Sequence, residues 1–474
     1  MKKIVSFALM LAVLLTCVIV PVSADTAENA SYFEPSYAYT NWTVTKSDDA
    51  TNSISAEKGV YFHGGTATAV YNPGVMKGDF IMTAEIGSVG GGAGNKMKIN
   101  VAGSVFTFCG NGTVGIDDWT STDKYKRSDD TFAFRIEYKS VGEISLYCIN
   151  SSGKMTLAKT LSEEKYANKN GNGDFSISEE YVQWTSVKNI KMYKPLTETY
   201  VNTFDDSAAL NDLNDATLGN VLNGRMRLAN QNTTAFFKKY TTGSYCLSMN
   251  MYSDTNNKKN IYFNYSGAND LYALNIANCN TFTLIRATAA GETPAGTTLG
   301  TYTLENKDLG ADPKISICYN SENGGIYVFV DDQLIIKSVD AQDSGKSGLF
   351  GVQFWWQQVW QTSIDNLSLA PTTDGFVLEA PKVSVNDAKV TGAALAVNFT
   401  SAEKKAVVIT AIYNGNTLAD VKAEAVTIPN ESRTTLKAEC DGYYAEGYTA
   451  KCFVFDSLDT VTPLATAASY PEGN

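Results

Sequence analysis

The chain has 474 residues, 44% of them apolar, and a formal charge of −12. That length suggests about three domains at the usual ~150 residues each, with enough apolar material for a packed core in every one. A chain this acidic repels phosphate backbones and anionic lipid, which argues against nucleic-acid and membrane-surface partners and leaves cations and neutral glycans as compatible ones.

The N-terminus reads as a signal peptide over residues 1–24: Lys2-Lys3, an apolar run from Ile4 to Val20, then Val22-Ser23-Ala24 ahead of the expected cleavage. The run is also near the length of a short membrane span, so an uncleaved anchor is the alternative. Cys17 is a poor lipoprotein site, because Thr16 stands where glycine or alanine is expected. Cleavage after Ala24 leaves 450 residues with a charge of −14 and a secreted, extracellular destination, with or without association to the cell surface. Beyond residue 24 no apolar run is long enough to span a bilayer. Seven cysteines remain, at 109, 148, 246, 279, 318, 440 and 452. They form no CxxC and sit mostly in strand-like runs, so they read as buried thiols rather than a disulfide framework. Pairing stays open for Cys440 and Cys452, which flank a short Gly-containing reversal.

Residues 25–196 alternate short Val-, Ile-, Tyr-, Phe- and Thr-rich runs with Gly, Asn and Asp clusters. The runs are 59–62, 66–71, 79–86, 96–101, 132–138 and 143–149. No 3.6-residue period is sustained, so the pattern predicts an all-β sandwich. Gly90-Gly91-Gly92-Ala93-Gly94-Asn95 has the composition of a phosphate cradle, but no Lys-Ser/Thr follows and no helix opens there; it reads as a hairpin connection. His63 is the only histidine and lies in a turn, which makes it a surface residue rather than a catalytic base. One histidine cannot build a usual zinc site either. Glu179 and Glu180 are adjacent and read as turn caps, since in a strand they would face opposite sides. Glu85, Glu137 and Glu143 are isolated.

Residues 197–370 repeat the first module. Thr185–Met192 matches Thr362–Leu369 position for position, 177 residues apart. In the same order, 68–71 matches 234–237, 78–81 matches 243–246, and 134–138 matches 315–319. An ordered series of this kind reads as duplication. The second copy also carries an aromatic and amide connection between the strands 348–354 and 362–367, made of Trp355, Trp356, Gln357, Gln358 and Trp360. Flat rings stack on the C–H faces of sugars and amides bond their hydroxyls, so these five residues are the candidate ligand surface, extended by Tyr262, Tyr265 and Tyr272. The competing reading places some of these rings in the core. A thinner version, Tyr181-Val182-Gln183-Trp184, precedes the repeated strand in the first copy, with Trp119 as a further contributor.

The second module's segments 271–276, 282–286, 325–332, 348–352 and 364–367 together resemble the concanavalin A-like, laminin-G-like jelly rolls of bacterial secreted glycan-active proteins. That resemblance implies two curved antiparallel sheets and a ligand on the concave face or loop rim. It also implies one structural calcium, for which Asp205, Asp206 and Asp365 are the candidate ligands. The first copy has Lys188 in place of Asp365. Retaining glycosidases of this fold carry a Glu-x-Asp-x-x-Glu strand, and no such stretch exists here. Residues 376–474 follow the linker 370–375 and contain a hairpin, 406–418, around Asn414-Gly415-Asn416. Their ending, 448–464, is similar to immunoglobulin-like or fibronectin-III-like modules of clostridial-type surface proteins, with Phe455 where tryptophan is usual.

The sequence therefore predicts two tandem jelly rolls, 25–196 and 197–370, and a small immunoglobulin-like sandwich. The expected function is non-catalytic binding of extracellular polysaccharide or glycoconjugate by the second jelly roll. The alternatives are a glycan-cleaving hydrolase or lyase on the same scaffold, and a structural surface protein that binds cell-envelope or other secreted proteins.

Overall fold

The computed structural model describes residues 31–47, 50–127, 129–151, 153–182, 184–230, 233–253, 258–267, 270–305, 313–331, 333–340, 346–355, 362–386, 389–442 and 447–471. They form almost nothing but antiparallel strands, arranged as three two-sheet sandwiches along the chain. No helix among the described residues is long and apolar enough to cross a membrane.

In the first sandwich one sheet contains the last strand, Thr185–Tyr193. Its order is Met155–Ser162, Glu143–Ile149, Phe132–Lys139, Phe80–Ile86, Thr185–Tyr193, Gly59–His63, Thr51–Ser55. The opposite sheet runs Trp119–Thr120, Val114–Ile116, Ser104–Cys109, Lys96–Val101, Phe175–Glu180, Thr66–Tyr71, Trp42–Lys46. The second sandwich follows the same plan. Its last-strand sheet runs Gln333–Val339, Gly325–Val330, Lys314–Asn320, Ser244–Ser253, Thr362–Thr372, Met226–Leu228, Gly219–Val221. Its opposite sheet runs Gly296–Thr303, Thr281–Ala287, Asp270–Ala277, Lys259–Gly267, Gly348–Phe354, Thr234–Thr241. Each of these strands has a counterpart at the same place in the first sandwich, so the duplication extends to the whole topology.

The repeated strand shows the reason at residue level. Lys188 pairs with Glu85 and Lys191 with Thr83, so two residues, Asn189 and Ile190, oppose the single Ala84; Asp365 pairs with Asn250 and Ser368 with Ser248 in the same way. Both bulges centre on an asparagine in the left-handed region, Asn189 (φ 54°) and Asn366 (φ 49°). Asparagine tolerates that conformation better than other residues with a β-carbon, and the bulge turns the strand so that Ile190 and Leu367 point into their cores. Each core is filled from both sheets by alternating residues such as Phe62, Met82, Ile136, Ile99 and Phe106 in the first copy. Full burial of such a side chain contributes roughly 1.5–3 kcal/mol.

Three local expectations change. The 90–95 loop is no hairpin, because the strands it joins, Phe80–Ile86 and Lys96–Val101, belong to different sheets; it arches over the end of the sandwich. Glu179 and Glu180 cap no turn. They end the strand Phe175–Glu180, with Glu179 fully buried and Glu180 outward against Lys98 and Lys96. The linker expected over 370–375 begins later, since Ala370, Pro371 and Thr372 still pair with Cys246, Tyr245 and Ser244.

The cysteines also depart from expectation. Cys246 and Cys318 face each other on adjacent strands with α-carbons 4.1 Å apart, and they form a disulfide. The pair left open, Cys440 and Cys452, stays unbonded: both are buried thiols on strands of different sheets. Burial pushes Cys440 up to about 11 and Cys452 up to about 12.

The third sandwich has one sheet in which Lys389–Asn398 pairs with Phe376–Leu378, Lys382–Asn386 and Ser432–Asp441. The other orders Thr417–Ile428, Lys404–Asn414, Tyr448–Phe455 and Ala468–Tyr470. The expected hairpin turns at Gly415 (φ 58°) and Asn416.

The sandwiches touch through buried surfaces. Between the first and second, Ile81, Tyr193, Tyr240 and Leu349 form an apolar cluster, and Arg135, 2% exposed, stands beside it. Arg135 is ion-paired with Glu137 at 2.9 Å, donates to the Tyr240 hydroxyl at 3.3 Å, and lies over the Tyr147 ring at 3.9 Å. Between the second and third, the disulfide packs with Tyr327, Phe329, Val377, Val397 and Phe399.

Candidate ligand-binding surface

The strand Gly348–Phe354 leads outward into Trp355, the first residue of the expected aromatic connection. Trp355 is half-buried; its backbone N–H donates to the Lys258 carbonyl at 3.1 Å, and its buried indole nitrogen has no hydrogen-bond partner among the described residues. Trp356, Gln357, Gln358 and Trp360 lie outside the described residues.

Below Trp355 the outward face of the opposite sheet carries Asn260, Tyr262, Asn275 and Gln353, all buried. Strand alternation should leave this face wet. The loop 288–295 folds over it instead, closed at its base by Thr288 N–H donating to Ala295 at 2.8 Å. The loop's peptide groups occupy the polar side chains. Asn260 Nδ2 donates to the Gly291 carbonyl at 2.8 Å, the Gly291 N–H donates to the Tyr262 hydroxyl at 3.0 Å, and Asn275 Nδ2 donates to the Glu292 carbonyl at 3.3 Å. Tyr262 in turn donates to Gln353 Oε1. Burial pushes Tyr262 up to about 12, opposed by the Gly291 contact.

Tyr262 therefore presents no free ring, and neither does Tyr272. The latter points into the core, stacked on Phe263 at 5.2 Å, with its hydroxyl donating to Asp340 at 3.2 Å. Both were expected to extend an exposed surface. One is covered by a loop distant in sequence, and the other faces inward because the alternation of its strand places it there. Tyr265 is half-buried and stacks on Phe236 at 4.3 Å.

The matching connection of the first copy is exposed at both ends, around the buried Val182. Trp184 is 60% and Tyr181 71% exposed, and the Trp184 ring lies parallel to the His63 imidazole at 5.5 Å. Trp119 takes no part. It sits at the edge of that sheet, four strands from Phe175–Glu180, with Lys159 over its ring at 5.8 Å. Sequence reading ranked this connection second; the adjacency of His63 and Trp184, 121 residues apart, depends on the pairing of Gly59–His63 with Thr185–Tyr193.

Each of the three expected calcium ligands has a local hydrogen-bond partner. Asp205 accepts the Thr203 hydroxyl at 2.5 Å, Asp206 caps the 3₁₀ turn Ser207–Asp212 by accepting the Ala208 N–H at 2.7 Å, and Asp365 accepts the Asn366 N–H at 2.7 Å. Among the described residues no three His, Cys, Asp or Glu side chains gather to hold a metal.

No protein-family model matches the chain, and no curated protein does either. Solved structures similar to part of it include a carbohydrate-binding module from Bacillus subtilis, 12% identical over 31% of this chain and 86% of that one, with a TM-score of 0.24. A Bacillus subtilis protein of unknown function with a galectin-like fold is 8% identical over 36% and 94%, with a TM-score of 0.29. The kappa-carrageenase of Pseudoalteromonas carrageenovora, solved with an oligotetrasaccharide of kappa-carrageenan, is 11% identical over 36% and 92%, with a TM-score of 0.25. Likenesses this distant bear on neither ligand nor activity.

Proposed function

We propose that the chain is an extracellular glycan-binding protein whose jelly rolls hold polysaccharide by the aromatic connections that enter their last strands, with the third, immunoglobulin- or fibronectin-III-like sandwich as a spacer. The observation that carries this reading is the solvent-facing His63–Trp184 pair beside Tyr181. Its counterpart connection in the second copy is where Trp355, Trp356 and Trp360 occur. A large ring left in water exposes apolar area, and a sugar's C–H face covers that area while its hydroxyls stay hydrated at the rim. The net charge of −12 favours neutral polymers over polyanions.

Calorimetric titration of the full chain with plant, host and microbial polysaccharides tests this. Trp184→Ala and the double variant Trp355→Ala/Trp356→Ala are each expected to weaken binding about tenfold or more, the usual loss for a central aromatic anchor. Wild-type affinity in both folded variants would sink the reading and leave the rings as contacts for a protein partner.

A further inference from the structure

The two jelly rolls enclose a cleft that the aromatic connections do not use. It holds about 300 Å³, at the small end of ligand pockets, and both copies line it. The first contributes Thr83, Glu85, Asn189 and Lys191; the second contributes Phe236 and Tyr265. These last two rings stack at 4.3 Å and 18°. Across the cleft Glu85 accepts from Asn189 Nδ2 at 3.1 Å and lies 3.9 Å from Lys188. The bulge that turns Asn189 into the left-handed region also aims its amide at this wall. Burial and then the charge of Glu85 raise the Tyr265 phenol above its ordinary range, which puts the two walls within electrostatic reach.

We propose that this cleft is a second saccharide subsite, taking one neutral pyranose unit. The Phe236–Tyr265 wall would meet the C–H face of the ring, and Glu85, Asn189 and Lys191 would bond its hydroxyls. Lys188 already offsets Glu85, so Lys191 leaves this rim with one net positive charge, and the fit to an uncharged ring rests on the Phe236–Tyr265 wall. The cleft exists only where the two copies dock, so neither jelly roll alone would have it. The ligand class rests on the glycan-binding reading above, while the location does not.

The test uses the full chain and five neutral hexaoses (cello-, xylo-, manno-, laminari- and maltohexaose) in calorimetry. Thr83→Trp fills the cleft from a strand position, and Lys191→Ala removes a rim donor that is not a member of the apolar cluster between the copies. The expected result is that the best hexaose binds Thr83→Trp at least tenfold more weakly and Lys191→Ala several-fold more weakly, at unchanged melting temperature for Lys191→Ala. If Lys191→Ala and Thr83→Trp both bind as wild type while Trp184→Ala does not, the cleft is overturned and the glycan reading stands. Loss in the cleft variants with full binding by Trp184→Ala supports the cleft and removes the exposed stack from the account. Silence towards all five hexaoses overturns the cleft outright.

Discussion

The two jelly rolls share one strand plan and differ in what they do with each face. On the last-strand sheet both copies use the outward face to dock the next sandwich. The correspondence of 78–81 with 243–246 and of 134–138 with 315–319 sets Ile81 and Glu137, which are cross-strand partners, where Cys246 and Cys318 stand. In the first copy that spot is a polar latch, Arg135 with Glu137, Tyr240 and Ser347. In the second it is a disulfide under aromatic residues of the third sandwich. On the opposite sheet the register places Glu180 and Lys98 of the first copy where the second has Trp355 and Asn260. There the first copy keeps ion pairs in water, and the second a dry amide cluster under a loop. A duplicated sheet has kept its geometry and changed only the chemistry of its surface, which is what outward-facing positions permit.

The largest expected effect breaks the polar latch. Arg135→Ala leaves the Glu137 carboxylate, 15% exposed, without its guanidinium. Removing one partner of a buried pair costs about 3–5 kcal/mol. The corresponding residue of the second copy is Ser316, whose hydroxyl meets Ser248 at 2.8 Å. Ser316→Ala should cost only about 1 kcal/mol, the net value of one neutral hydrogen bond. Denaturant titration of both variants in the full chain makes the comparison. Equal losses would mean that Arg135 holds no more than a serine pair does.

The disulfide comes next. Cys246 and Cys318 are separated by 72 residues, and a bond closing a loop of that order contributes about 2–4 kcal/mol. Melting with and without reductant should show that loss. A thiol count on the denatured, unreduced chain from residue 25 onward should find the five free cysteines 109, 148, 279, 440 and 452. Seven free thiols would restore the all-thiol expectation and leave the second interface to its apolar cluster and its ion pairs, Lys314 with Glu379 and Lys337 with Glu431.

Much of the strand plan was legible in the chain. The runs 66–71, 96–101 and 143–149 coincide with strands, each a short apolar-rich run between turn formers; burial alternates along the first two, while 143–149 is buried at all but two positions. The duplication was legible for the same reason, since matching runs recur in order. What the sequence withholds is contact across the chain. Alternation puts Tyr262 on an outward face but says nothing of a loop some 30 residues later that covers it. It does not reveal that Glu179 and Phe354, at equivalent places, oppose Met97 and Lys259, so that each copy buries one charged residue at the same pair of positions. His63 and Trp184 meet only through strand pairing, and the cleft only through docking of one sandwich on the other.

The smallest effect probes the feature the copies hold in common. Alanine at a left-handed position costs about 1–2 kcal/mol more than a residue suited to it, whereas glycine takes that conformation freely. Asn189→Ala and Asn366→Ala should therefore each destabilise the chain by about 1 kcal/mol, and the glycine variants by less. The two sites lie in separate cores, so the double alanine variant should lose the sum of the single losses. Asn189→Ala also removes the hydrogen bond to Glu85, whereas the Asn366 amide, among the described residues, donates to its neighbour Asp365. A larger loss at 189 than at 366, rescued by glycine at 366 but only partly at 189, would separate the backbone cost shared by the copies from the side-chain contact that belongs to the first alone. Equal rescue at both positions would mean that the bulge, and not the amide at the cleft wall, accounts for asparagine at both places.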